Sequence, residues 1–148
     1  MGFQSYILGE VTSQLPELRN QTNAADMQWY MKDIAPFLGI KTPIRRDVLK
    51  KIFKEAPEPT SAQLGKTARA LWKLTEREYQ YAACDILATF NKYLDEDFLA
   101  DHGEYLITHR PWWDTVDSLG SAIVSPLTVR YNSLKLMNSW NKSDDIWW

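Results

Sequence analysis

Apolar residues recur at helical spacing along almost the whole chain, and no stretch alternates apolar and polar residues between hairpin turns. The expectation is an all-α fold. Caps and prolines divide it. A first helix is expected from Ser5 to Arg19, with Ile7, Leu8, Val11, Leu15 and Leu18 on one side. A second begins after Asn23 as cap and carries Met27, Tyr30, Met31 and Ile34 until Pro36 stops it. Thr42 reads as the next cap and Pro43 as the first helical residue, of a helix running to Ala56. Thr60 with Gln63 and Thr75 with Glu78 have the capping-box pattern, opening helices through Leu74 and Phe90. Asp95 to Thr108 forms another, Pro111 begins one holding WWDTVDSLGSAIV, Pro126 breaks or kinks it, and Val129 to Trp140 is the last complete helix.

Helix pairs at intervals of roughly 35 to 45 residues are the spacing of HEAT-type repeats, the competing arrangement being an irregular helical bundle. Residues 1–148 form a single domain on this reading, since 148 residues with 45% apolar and 24% charged side chains have the make-up of one globular unit. Such a chain buries about two thirds of its unfolded surface and needs no disulfide, in keeping with its single Cys84. No apolar run approaches the ~18 residues of a membrane span, and MGFQSYILGEVTSQL turns polar too early for a secretory signal, so the cytoplasm is the expected address. Ser143, Asp144 and Asp145 announce a further helix whose apolar face begins at Ile146, Trp147 and Trp148. Either the chain is a fragment of a longer protein, or the terminal Trp pair packs on the body or on a neighbour.

The net charge of −2 gives no global attraction to a polyanion, so any such partner must meet a local patch. One exists: Lys41, Arg45, Arg46, Lys50, Lys51 and Lys54 against Asp47 give a segment of +5 in a protein whose remainder is −7. Ile44, Val48, Ile52 and Ala56 are spaced to face inward, which stacks Arg46, Lys50 and Lys54 one turn apart on the outer face. Such a stripe suits a phosphate backbone, and the loop from Gly39 to Thr42 offers backbone donors to one phosphate. The plainer reading is a solvated amphipathic helix.

Around Trp112-Trp113-Asp114-Thr115-Val116-Asp117, about 100° per residue puts Trp112, Val116, Leu119 and Ile123 on the buried side. Trp113, Asp117 and Gly120 then line a neighbouring stripe, so an indole and a carboxylate share a face one turn apart. Such a pair suits a cationic or electron-poor group, the plainer reading being a boundary Trp beside a solvated Asp. His102 and His109 have no acidic or Cys partner at ligand spacing, which argues against a metal site, and Cys84 reads as a small core residue.

Several motifs taken together resemble the AlkD-like DNA alkylation repair family, the HEAT-repeat DNA glycosylases. They are Tyr30-Met31-Lys32, Phe37-Leu38-Gly39-Ile40-Lys41-Thr42-Pro43 with Arg45-Arg46, Leu71-Trp72, Glu76-Arg77-Glu78-Tyr79-Gln80, Trp112-Trp113-Asp114-Thr115-Val116-Asp117-Ser118, and Ser143-Asp144-Asp145-Ile146-Trp147. The resemblance implies a right-handed superhelical stack of antiparallel helix pairs whose concave basic surface cradles double-stranded DNA containing alkylated purines. It implies hydrolysis of the N-glycosidic bond of N3- or N7-alkylated purines, without a metal or other cofactor. Trp113 and Asp117 match the lesion-site Trp and Asp of the family. Tyr30, Lys41, Thr42, Arg45 and Arg46 match positions near the DNA backbone, and Lys50 and Lys54 extend them along the basic stripe. The family places a phosphate-gripping Arg soon after the last motif, and this chain stops at Trp148. About the last third of the family's fold is therefore expected to be missing, with an exposed end that self-associates unless covered. A non-catalytic DNA-binding or scaffold protein is the alternative.

Overall fold

The computed structural model describes residues 2–143, all helix, turn and loop with no strand among the described residues. The helices are α1 (Phe3–Gln14), α2 (Gln21–Tyr30), α3 (Thr42–Lys54), α4 (Ser61–Trp72), α5 (Arg77–Thr89), α6 (Glu104–Thr108), α7 (Trp113–Leu119), α8 (Ser125–Tyr131) and α9 (Leu134–Asn141). This is the all-α architecture of a helical-repeat solenoid. The continuation expected from Asp144 to Trp148 lies outside the described residues.

Local signals explain some of these boundaries, and tertiary contacts explain the others. Thr60 and Gln63 form the reciprocal capping box that opens α4. For α2 the cap is Asn20 rather than Asn23, its side chain accepting from the Asn23 N–H at 3.0 Å. That helix ends at Tyr30, well before Pro36, because Lys32 and Asp33 both turn left-handed at φ 57°. At α3, Lys41 caps and Thr42 is already helical. The box expected at Thr75 and Glu78 does not form: Glu76 precedes the first turn of α5, and the Glu78 carboxylate is engaged elsewhere. The expected helix from Asp95 to Thr108 is shortened to a wide turn at Leu99–Gly103 leading into α6.

Pro126 does not break the helix that follows α7. A wide i→i+5 turn, Gly120–Val124, precedes it and gives the ring room, and Asn91 Nδ2 donates to the Ala122 carbonyl at 2.7 Å. The expected helix from Val129 to Trp140 is instead split at Asn132, which adopts φ 53° between α8 and α9.

Two apolar clusters hold these elements. The larger joins α1, α3, α4, α5 and the helices after it through residues such as Ile7, Leu49, Leu71, Ile86 and Ile123. The smaller gathers Ala24, Met31 and Phe37, with Tyr81 and Trp112 packed against it. Helix α5 is central, packing on α3, α4 and α7. The carbonyls at the end of α4 find side-chain donors: Gln80 Nε2 reaches Leu71, Trp72 and Leu74, and Arg110 reaches Trp72 and Thr75.

Candidate functional site

One face of α5, carrying Tyr81, Asp85 and Ala88, is the floor of a continuous groove. Toward α2, Tyr30, Thr42, Arg45 and Tyr81 line a hollow of about 300 Å³. Next, a cleft of about 420 Å³ brings Asp117 of α7 opposite Arg45 and Arg46 of α3. Beyond that, Arg46, Lys50 and Lys54 edge a hollow of about 550 Å³ floored by Leu49, Phe53 and Phe90. The shared residues Arg45 and Tyr81, then Arg46 and Asp85, make these one surface.

The walls are fixed by buried polar contacts at its edges. Asp114 takes two hydrogen bonds from the Arg77 guanidinium, from Nε at 3.1 Å and Nη2 at 2.7 Å, with the pair almost wholly enclosed. The Tyr81 hydroxyl donates to the same carboxylate at 2.5 Å, and the Thr115 N–H donates to it at 2.7 Å. Burial first, then this bond to Asp114, pushes the Tyr81 pKa up, so the phenol stays a donor. Arg77 also donates to the Arg110 carbonyl and the Thr115 hydroxyl. The start of α7 is thereby pinned to α5. Trp112 packs into the smaller apolar cluster, and Trp113 turns outward.

A second anchor sets α3. The Glu78 carboxylate, fully buried, accepts from the backbone N–H groups of Leu38, Gly39 and Ile40 at 2.8, 2.8 and 3.1 Å. The Gly39 and Ile40 N–H groups are therefore not available to a phosphate, which removes two of the donors expected of the loop from Gly39 to Thr42. Gly39 sits at φ 92° with the Asn20 carbonyl where a Cβ would stand.

Asp117 is exposed and makes no ion pair among the described residues. One turn before it, Trp113 is 48% exposed and meets the Tyr30 ring edge-on at 6.4 Å. The expected inward face of α3 is rotated: Ile44 is exposed, while Arg45, Leu49, Ile52 and Phe53 are buried. Arg45 lies in the floor, its Nε 3.0 Å from Asp85 and its guanidinium over the Tyr81 ring at 5.0 Å. Arg46 stands beside the same carboxylate at 3.8 Å. Two guanidinium groups thus share Asp85, and Asp117 on the facing helix balances the second, so the excess positive charge lies in the next hollow, where Lys50 and Lys54 join Arg46. Lys50 and Lys54 are exposed along the next hollow, and Lys41 is exposed at the cap of α3. On α7 the buried side runs through Thr115 and Leu119, with Trp112 and Val116 only half-buried.

The groove therefore gathers Tyr30, Thr42, Arg45, Arg46, Lys50, Lys54 and Asp117, with Trp113 joined through Tyr30. Sequence reasoning missed Tyr81, Asp85, Asp114, Arg77 and Glu78. Charged residues placed in the first turn of an apolar helix, as Arg77 and Glu78 are, were the available signal for buried partners. Cys84 lies in the core, where burial pushes its thiol up to about 12.

The sequence matches the family model of DNA alkylation repair enzymes over residues 11–148. Comparison with curated proteins yields no match. Among solved structures, a predicted DNA alkylation repair enzyme from Enterococcus faecalis superposes with a TM-score of 0.69 at 26% identity, covering 87% of this chain. The chain spans 61% of that structure's length.

Proposed function

The chain belongs to the family of DNA alkylation repair enzymes, and from that premise we propose that it hydrolyses the N-glycosidic bond of N3- and N7-alkylated purines in duplex DNA. The observation that carries this reading is the exposed Asp117 carboxylate opposite Arg45 and Arg46, one turn from an exposed indole. A free carboxylate in a groove meant for a polyanion opposes binding of every phosphate near it. Its presence is explained when the group it meets is cationic, and the ring of an N3- or N7-alkylated purine is cationic.

In this reading Arg46, Lys50, Lys54 and Lys41 meet the phosphates and set register without reading sequence. Arg45, held by Asp85, contributes its charge from the floor. Trp113 and Tyr30 present aromatic surface to the lesion nucleotide, the indole offering its negative face to the positive ring. The bond from C1′ to the purine nitrogen breaks with its electron pair moving to the base, which leaves neutral. Positive charge then appears on the deoxyribose as an oxocarbenium ion, which the Asp117 carboxylate stabilises. Asp117 also orients a water, whose oxygen bonds to C1′ as its proton passes to the carboxylate. The products are a free alkylated base and an abasic site.

The test is the appearance of free base and abasic sites when the chain is incubated with a 7-methylguanine duplex, run beside Asp117→Asn. Release that depends on Asp117 supports the proposal. Salt-dependent binding of the duplex with no release identifies a non-catalytic DNA-binding protein instead.

A further inference from the structure

At the α2 end of the groove, Trp29 leaves 79% of its surface in water, more than any other aromatic side chain among the described residues. Its neighbour Tyr30 already belongs to the groove, through the hollow with Thr42 and Arg45 and through its contact with Trp113. Tyr30 also borders a second, open hollow with Trp29, Lys32 and Asp33. The groove thus continues past Tyr30 onto a surface that the reading above leaves unused.

This surface is held in shape. The chain reverses there through two successive non-glycine residues in the left-handed region, Lys32 and Asp33, a costly conformation for L side chains. The reversal is tied down at both ends by Gln28: its carbonyl accepts from the Asp33 N–H at 2.7 Å, and its side-chain oxygen accepts from the Phe37 N–H at 3.2 Å. A frayed helix end would need neither bond.

We propose that Trp29, Lys32 and Asp33 form a stacking platform for one unpaired nucleotide of the DNA, a short way along the duplex from the lesion. The inference rests on reading the groove as the DNA interface. The exposed indole supplies a face for a base that has left the helical stack. Lys32 meets the adjoining phosphate. Asp33 accepts from an exocyclic amino group, as adenine, cytosine and guanine carry. Base-on-indole stacking tolerates sequence and needs no preformed pocket, which matches so open a hollow.

Fluorescence anisotropy with two labelled duplexes tests this, one fully paired and one carrying a single bulged deoxyadenosine. The unaltered chain is expected to bind the bulged duplex about 10-fold more tightly, as one stacked base implies. Trp29→Ala removes that preference while leaving affinity for the paired duplex and the melting temperature unchanged, because Trp29 is solvent-exposed. Lys32→Gln lowers affinity for the bulged duplex and weakens its salt dependence. A preference that survives in Trp29→Ala, or the lack of any preference in the unaltered chain, overturns the proposal. Failure to bind either duplex overturns the DNA reading of the groove as well, whereas binding of both without preference overturns the platform alone.

Discussion

Replacing Asp114 by Asn tests the anchor that positions α7. The Arg77 side chain is 1% exposed and that of Asp114 8%, so the variant leaves a guanidinium enclosed without its counter-charge. Removing one partner of a buried pair costs about 3–5 kcal/mol. Arg77 keeps the Arg110 carbonyl and the Thr115 hydroxyl as neutral partners, which places the expected loss near the lower limit, about 3 kcal/mol. A domain of this size is stable by on the order of 10 kcal/mol, so the melting temperature should fall by about 10 °C. Urea unfolding followed by circular dichroism measures the loss, and an unchanged slope shows that it is one of stability alone. Asp117→Asn is the matched control: the same chemical change at an exposed acid of the same helix should cost no more than about 0.5 kcal/mol. Joint replacement of Arg77 by Met and Asp114 by Leu should cost less than the two single changes added together, since it leaves no orphaned charge. If Asp114→Asn and Asp117→Asn unfold within 1 kcal/mol of each other, the reasoning about this anchor is wrong.

Gly39→Ala should destabilise by more than about 2 kcal/mol in the same urea assay, because the new Cβ meets the Asn20 carbonyl in a left-handed backbone. Joint neutralisation of Arg46, Lys50 and Lys54 to Gln should reduce the slope of log affinity against log salt by about 3 on a duplex, with little change in stability. The Cys84 thiol, pushed by burial up to about 12 from its ordinary 9.0, should resist thiol reagents in the folded chain at pH 8 and react on unfolding. Its contribution to stability is full below pH 9.0 and is lost as pH rises toward 12, since the unfolded chain gives up that proton first. Cys84→Ala should therefore show a shallower alkaline decline in urea unfolding.

Features governed by neighbours in sequence were legible before any coordinates. The buried face of α1 through Ile7 and Val11, continued by Leu15 at its C-cap, the capping box of Thr60 and Gln63, and the core position of Cys84 follow from local spacing. So does the exposure of both Trp113 and Asp117, one turn apart on α7. What escaped was decided across the chain. Local periodicity put Ile44 inside, yet Ile44 is exposed, and Asp85, 40 residues away in sequence from Arg45, draws Arg45 into the floor instead. Glu78 has the spacing of a capping residue, but three donors of the loop at Leu38–Ile40 hold it instead. The helix boundaries at Pro126 and Asn132 likewise depend on a wide turn and a left-handed residue whose cost the surrounding packing offsets.

The central claim is that the Asp117 carboxylate acts on charge developing in the basic groove, and the rate of base release tests it most directly. In single-turnover assays on a 7-methylguanine duplex with protein in excess, Asp117→Asn should slow release by about 100- to 1000-fold. The same variant should bind an undamaged duplex as tightly as the unaltered chain or more so, having lost a negative charge beside the phosphates. Release at an undiminished rate, or a slowing matched by an equal loss of affinity, would contradict the account.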